Sequence, residues 1–269
     1  MIKVGETISQ IPKLNCEQTK NDIVEFIKSK IAESKTNGIV VGLSGGIDST
    51  LIAYLACEAV GKDNVFGIIM PSTTTPTEDK IHGFEIAHIL GIDHKEIAID
   101  GILNEYLSQC QLDDDNLSIG NLKARIRMSI IYYFANHKNY LVSGTGNRSE
   151  ILIGYFTKHG DGACDMEPIG DLYKTDVYQL SEFLKVPQEV IDKPPRAGLW
   201  KDQTDEEEIG MSYDLLDEIL YLYTEKDMKT DEIAGKLDIT ADDVDMIITK
   251  IKRSEHKSKV PEIPLKTTL

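Results

Sequence analysis

The chain has 269 residues, 41% hydrophobic and 28% charged, the balance of a globular protein long enough for one large domain with a substantial core. A formal net charge of −16 and a pI near 4.8 argue against a broad nucleic-acid footprint, because most of the surface repels a phosphate backbone; small phosphorylated substrates need only local donors and cations. No apolar run approaches the ~20 residues of a membrane span, Met1–Glu6 lacks the apolar core of a signal peptide, and the four cysteines (Cys16, Cys57, Cys110, Cys164) include no CxxC pair, so a reduced cytosolic protein is expected.

In chain order, Asp22–Ala32 reads as an amphipathic helix. Gly38–Leu43 reads as a buried strand, β-branched and uncharged, followed by a helical pattern to about Val60. A second strand is expected over Asn64–Met70, a helix over Thr77–Leu90 and a weaker strand over Lys95–Ile99. From Asn116 to Asn136 the apolar residues Ile119, Leu122, Ile126, Ile130 and Tyr133 recur at helical spacing, and Tyr140–Ser143 is another short strand. This alternation predicts an α/β fold, an open parallel sheet with helices on both faces. After the Lys193-Pro194-Pro195 break the chain turns helical and acidic, with helices expected over Tyr213–Tyr223, Asp231–Leu237 and Ala241–His256 that pack on the sheet or on a partner chain. The tail from Val260, with Pro261 and Pro264, reads as extended.

The most informative segment is Gly42-Leu43-Ser44-Gly45-Gly46-Ile47-Asp48-Ser49-Thr50, where a buried strand meets a helix. Its glycines let the backbone approach a ligand, the helix N-terminus favours an anion, and Ser44 and Ser49 add hydroxyl donors. Asp48 would repel a phosphate unless a cation lay between them, a role that suits Mg2+. The loop lacks the lysine of a Walker sequence and the spacing of a dinucleotide-binding GxGxxG.

A second block, Gly144-Thr145-Gly146-Asn147-Arg148-Ser149-Glu150, follows the strand at Tyr140–Ser143 and so lies at a carboxyl edge of the sheet, where open α/β sheets bind ligands. It continues into Gly154-Tyr155-Phe156-Thr157-Lys158-His159-Gly160-Asp161-Gly162 and Asp165. Glu150 is a second hard oxygen ligand, Lys158 brings charge for a phosphate or carboxylate, and the glycines suit a flexible cover.

The first loop resembles the pyrophosphate loop of the ATP pyrophosphatases, which cleave ATP to AMP and pyrophosphate. The second block resembles the ammonia-dependent NAD synthetases within that group, and the matching stretches run from Gly42 to His256-Lys257. The resemblance implies one domain over 1–269 with an adenine nucleotide alpha hydrolase-like core: a helical segment over 1–37, the core over 38–200 and a helical region over 201–269. It implies ATP-dependent amidation of deamido-NAD with ammonia, giving NAD, AMP and pyrophosphate through an acyl-adenylate. Gly42 to Ser49, Thr145 and Lys174 would contact ATP; Asp48 and Glu150 would hold Mg2+; Arg125, Lys158, Asp165, His256 and Lys257 would contact deamido-NAD. Asp48, Glu150 and Lys174 would carry the chemistry, and the long helix would form much of a homodimer interface.

Two departures stand out. In Pro194-Pro195-Arg196-Ala197-Gly198-Leu199 an arginine stands where many relatives place Thr or Ser, so Arg196 would reach a phosphate of ATP instead. Asn147-Arg148-Ser149 replaces the His- or Tyr-containing triplet of some bacterial members but leaves Glu150 in place. No glutaminase domain and no candidate nucleophilic cysteine near the N-terminus is seen, so ammonia is the expected nitrogen donor. The competing readings are a tRNA-modifying ATP pyrophosphatase, disfavoured by the acidic charge; a GMP synthetase core, which calls for a different C-terminal region; and a non-catalytic nucleotide sensor, which need not keep both Asp48 and Glu150.

Overall fold

The structure is a computed structural model that describes residues 9–112, 115–196, 198, 200 and 204–264. The readings made on Met1–Glu6, on Ala197 and Leu199, on the boundary at 201 and on the tail beyond Pro264 lie outside the described residues.

Four strands, β1 (Ile39–Gly42), β2 (Val65–Ile69), β3 (Asp93–Glu96) and β4 (Leu141–Val142), form one sheet in the order β3-β2-β1-β4 with every pair parallel. Alternation along the strands sorts their side chains onto two cores. Ile39, Val41, Val65 and Ile69 face a core shared with α1 (Cys16–Ser34), α2 (Ile47–Val60), α3 (Thr77–Leu90) and α7 (Lys174–Phe183). Val40, Phe66, Ile68 and Val142 face the opposite core, shared with α4 (Asp100–Cys110) and α5 (Asn116–Lys138). Helices therefore cover both faces, as the sequence predicts.

The bounds of α2 and α3 agree with expectation, and α5 runs two residues further. Two of the expected elements start elsewhere. Helix α1 starts at Cys16 rather than Asp22, because the Asn15 side chain accepts the Gln18 N–H at 3.2 Å and caps it. The edge strand begins at Asp93, two residues earlier than expected: its four residues are charged or polar and exposed, so no apolar run marks them. Pairing nevertheless continues through the predicted stretch, with Ile97 N–H donating to Ile69 O at 2.9 Å and Ile99 N–H to Pro71 O at 3.0 Å. Helices α4 and α7, and three shorter helices after β4, have no counterpart among the sequence expectations.

Short helices α6 (Arg148–Ile153), α8 (Gln188–Ile191) and α9 (Asp205–Ile209) lead to α10 (Tyr213–Thr224), α11 (Thr230–Leu237) and α12 (Ala241–Ser254), which is followed by a 3-10 turn over Glu255–Lys257. These last helices build a third core around Leu215, Leu216, Ile219, Ile233, Val244 and Ile247, all unexposed. Ile153 of α6 and Tyr173, just before α7, also belong to it, so the C-terminal helices abut the carboxyl edge of the sheet. Among the described residues no helix is long and apolar enough to cross a membrane.

Candidate active site

The phosphate loop leaves β1 at Gly42 and enters α2 at Ile47, with Leu43 and Ile47 buried beneath it. Gly45 takes φ +76°, and a Cβ there would stand 2.0 Å from Asp79 O, so only glycine fits. Ser44 and Ser49 hydroxyls pair at 2.9 Å, and Gly46 N–H donates to Ser44 Oγ at 3.2 Å. The loop is thereby pre-shaped, with hydroxyls and backbone donors gathered at a helix N-terminus, the arrangement that receives an anion.

Asp48, in the first turn of α2, is met from two sides. Asn147 Nδ2 donates to its Oδ1 at 2.9 Å, and the Lys174 ammonium donates to its Oδ2 at 2.5 Å. The same ammonium stands 3.8 Å from Glu150 Oε1 and 5.3 Å from the centre of the Tyr213 ring. Lys174 is only 1% exposed. Burial alone would lower its pKa, but Asp48 and Glu150 outweigh burial and hold it above the usual lysine range. Burial, and then the nearby Asp48 charge, push the Glu150 carboxyl well above its ordinary value, while Lys174 pulls the other way.

Local sequence explains how these groups meet. Asn147 caps α6: its side chain accepts the Glu150 N–H at 3.0 Å while Glu150 Oε2 accepts the Asn147 N–H at 3.2 Å. The box aims Glu150 back over the helix N-terminus toward Asp48. Thr145 lies half-buried in the preceding loop between Gly144 and Gly146. Arg196 does reach the flank of the phosphate loop, but there it is engaged by protein carboxylates: its guanidinium donates to Asp79 at 2.7 and 3.2 Å and to Glu78 at 3.3 Å.

A second group of predicted residues gathers around the segment 154–165. Arg125, on α5, donates twice to Lys158 O at 3.3 Å, and Lys158 Nζ donates to His256 O at 2.7 Å. Lys257 Nζ donates to Gly154 O at 2.7 Å and to Phe156 O at 2.9 Å. His256 is exposed beside them. Asp165 faces elsewhere: its carboxylate accepts the Val142 N–H at 2.7 Å and the Tyr132 hydroxyl at 3.2 Å, securing the end of β4. Thr157 further bonds Asn121 of α5 at 2.8 Å. The glycine content suggests a loose cover, yet the segment is tied to α5, β4 and the 3-10 turn after α12.

With this geometry in place, a family model described as NAD synthase matches residues 19–261. The chain belongs to that family. It is 48% identical over 251 residues to the NH3-dependent NAD+ synthetase of Methanocaldococcus jannaschii, covering 92% of this chain and 96% of that one. Among solved structures, the NMN synthetase of Francisella tularensis superposes with a TM-score of 0.84 at 33% identity, covering 94% of this chain and 99% of that one. The NH3-dependent NAD synthetase of Campylobacter jejuni gives 0.81 at 32% identity, covering 94% and 100%. The family resemblance seen in the two sequence blocks is thus shown over most of the chain.

Several residues of this NAD synthase-family site escape sequence reasoning. Asn147 carried a usable signal, a capping residue three before a glutamate. Lys193 donates to Gly45 O and, at 2.9 Å, to Asp79 Oδ1, closing a buried tie behind the phosphate loop. Glu167 accepts the Gly146 N–H at 3.0 Å and the Cys164 thiol at 3.1 Å beneath the Gly144–Gly146 turn. Asp79, Lys193 and Glu167 are ordinary charged residues in sequence, and only the fold turns them inward.

Proposed function

We propose that this chain is a ligase forming a C–N bond, which amidates deamido-NAD with ammonia at the expense of ATP and yields NAD, AMP and pyrophosphate. The observation that carries the reading is the convergence of Asp48, Glu150 and the buried Lys174 ammonium beside a pre-shaped phosphate loop, in a chain of this family.

In the first step the nicotinate carboxylate attacks the α-phosphorus of ATP, the bond from that phosphorus to the bridging oxygen breaks, and pyrophosphate leaves. The loop from Ser44 to Ser49 holds the departing phosphates through its N–H and hydroxyl donors, and the buried Lys174 adds a fixed cation. In the second step ammonia adds to the acyl carbon, the bond from that carbon to the AMP oxygen breaks with its electron pair leaving on AMP, and the nitrogen loses a proton to solvent. No side chain forms a covalent bond.

Two mostly buried carboxylates that already converge on one cation are a hard-oxygen donor set that suits Mg2+. Asp48 and Glu150 would hold the ion, which would neutralise charge on the pyrophosphate. Thr145 would contact ATP, and Arg125, Lys158, Asp165, His256 and Lys257 deamido-NAD. Arg196 would touch a phosphate only after releasing Asp79. The three-part division of the chain at 38 and 201 belongs to the same reading. So does a homodimer, supported by Ile102, Tyr106, Leu112, Leu117 and Tyr133, apolar side chains that stand exposed on and between α4 and α5.

The test is to incubate the protein with deamido-NAD, ATP, Mg2+ and ammonium and to quantify NAD and AMP. Equal amounts, formed only with all four present, support the reading; AMP without NAD moves the acceptor elsewhere. The Francisella neighbour favours one specific alternative, the carboxylate counterpart of NMN as acceptor. Running both acceptors in parallel and comparing kcat/KM decides between them.

A further inference from the structure

Asp217 lies on α10, in the third core, among Leu215, Leu216, Ile219 and Leu220, all with no exposure. It is itself 0% exposed. A residue needed there only for packing would be apolar, because a buried carboxylate is costly unless its acceptors are satisfied. Here both oxygens are used. Oδ1 accepts the Ser149 hydroxyl at 2.5 Å, and Oδ2 accepts the Thr175 N–H at 2.8 Å. Ser149 Oγ in turn accepts the Lys174 N–H at 2.9 Å.

The three bonds join the first turns of two helices. Ser149 is the residue before Glu150 on α6, and Thr175 is the residue after Lys174 on α7. One carboxylate therefore fixes the backbone on which each of the two side chains around Asp48 is mounted. Helix α6 has only six residues and cannot hold its own orientation by length. Arg148 adds a parallel tie from the same helix to Glu225, just beyond the other end of α10.

We propose that Asp217 is a positioning residue of the reaction, setting α6 and α7 in register so that Glu150 and Lys174 reach Asp48 together. The inference rests on the amidation reading for its assay and extends it to the C-terminal helices, which sequence alone marks only as packing elements. Asp217 touches no reacting atom; it acts through Ser149 and Thr175. In Asp217→Asn the amide keeps its shape, but its NH2 group must face either the Thr175 N–H, donor against donor, or Ser149 Oγ, whose own O–H can then no longer donate to residue 217; the pair of acceptors that holds both groups is lost. A displacement on the scale of 1 Å costs about 10²-fold in rate when catalysis rests on alignment.

The experiment compares full-length native protein with Asp217→Asn, Ser149→Ala and the double variant, measuring kcat, KM for deamido-NAD and the thermal unfolding midpoint. The expected result is a kcat at least tenfold lower in Asp217→Asn, with KM for deamido-NAD within twofold of native and with cooperative unfolding retained. The double variant should be no slower than Asp217→Asn, because the two residues act as one unit. Native kcat per folded molecule in Asp217→Asn overturns the proposal, as does a rise in KM at constant kcat. If Asp217→Asn does not fold, Ser149→Ala decides alone: a native kcat there overturns it. Native protein that makes no NAD at all defeats the amidation reading instead, which separates the two failures.

Discussion

The Lys174 ammonium and the Asp48 carboxylate meet at 2.5 Å across 126 residues of sequence, and the lysine has almost no exposed surface. An internal cation thus neutralises an acidic pair at the mouth of the phosphate loop. Removing one member of a buried ion pair strands the other, which costs about 3–5 kcal/mol. Lys174→Met is therefore expected to lower the unfolding midpoint sharply and to abolish NAD formation. Added Mg2+ should raise the variant's midpoint more than the native one, because two carboxylates then face a vacant cation position. A variant as stable as native protein, and insensitive to Mg2+, would remove the acid pair from the metal assignment.

Asn147 serves two purposes at one position, capping α6 and donating to Asp48. Asn147→Ala removes a cap worth about 1 kcal/mol and a hydrogen bond to a charged group worth about 1.5–3 kcal/mol. Denaturant unfolding should show a loss of about 2–4 kcal/mol. Asn147→Asp separates the roles: the carboxylate still caps the helix but faces Asp48 as a like charge. At neutral pH that variant is expected to be less stable than Asn147→Ala and less active, and to recover stability as the pH falls and one of the two carboxyls takes up a proton.

How far these relationships were legible varies with their origin. The phosphate loop, β1, α2 and α3 were readable because local signals agree there: an uncharged β-branched run, glycines at the turn and helical periodicity. Helix α6 was not, since six residues carry too little periodicity, although Asn147 and Glu150 spell its cap. Asp217 was not legible at all. In Tyr213-Asp214-Leu215-Leu216-Asp217-Glu218 three acids look alike, and tertiary packing decides that Asp217 turns toward Ser149 while Asp214 faces solvent. The residues expected at deamido-NAD were recognised through resemblance; the structure shows four of them clustered and Asp165 turned to β4.

Gly45 makes a sharper test of the phosphate loop than its serines do. Its φ of +76° lies where a side chain is strained, and an added Cβ would meet the Asp79 carbonyl at 2.0 Å. Asp79 cannot retreat freely, because Lys193 and Arg196 both hold its carboxylate. Gly45→Ala should therefore lose at least 1–3 kcal/mol from backbone strain alone, about the cost of a forced left-handed residue, and should raise KM for ATP more than KM for deamido-NAD. Gly235, on the exposed side of α11 with nothing within 4 Å of a Cβ, serves as the control; Gly235→Ala should be neutral or stabilising.

Glu167 gives the pH dependence. Its carboxyl is pushed up to about 7 from an ordinary 4.5, chiefly by burial and further by Asp161, while its bonds from Cys164 and Gly146 N–H pull it down. The folded protein therefore holds a proton that the unfolded chain has already released between these values. Its contribution to stability is complete below about 4.5 and is lost as pH rises through about 7, an effect on the order of 3 kcal/mol for a shift of this size. Glu167→Gln cannot titrate, yet it keeps an acceptor for Gly146 N–H. Urea unfolding between pH 5 and 8 should show native protein losing stability across the range and Glu167→Gln losing distinctly less. Asp217, also pushed to about 7 by burial, adds to the remaining slope, which Asp217→Asn should reduce. If Glu167→Gln follows the native curve throughout, the carboxyl is ionised over the whole range, and the turn at Gly144–Gly146 is held by a charge rather than by a neutral acid.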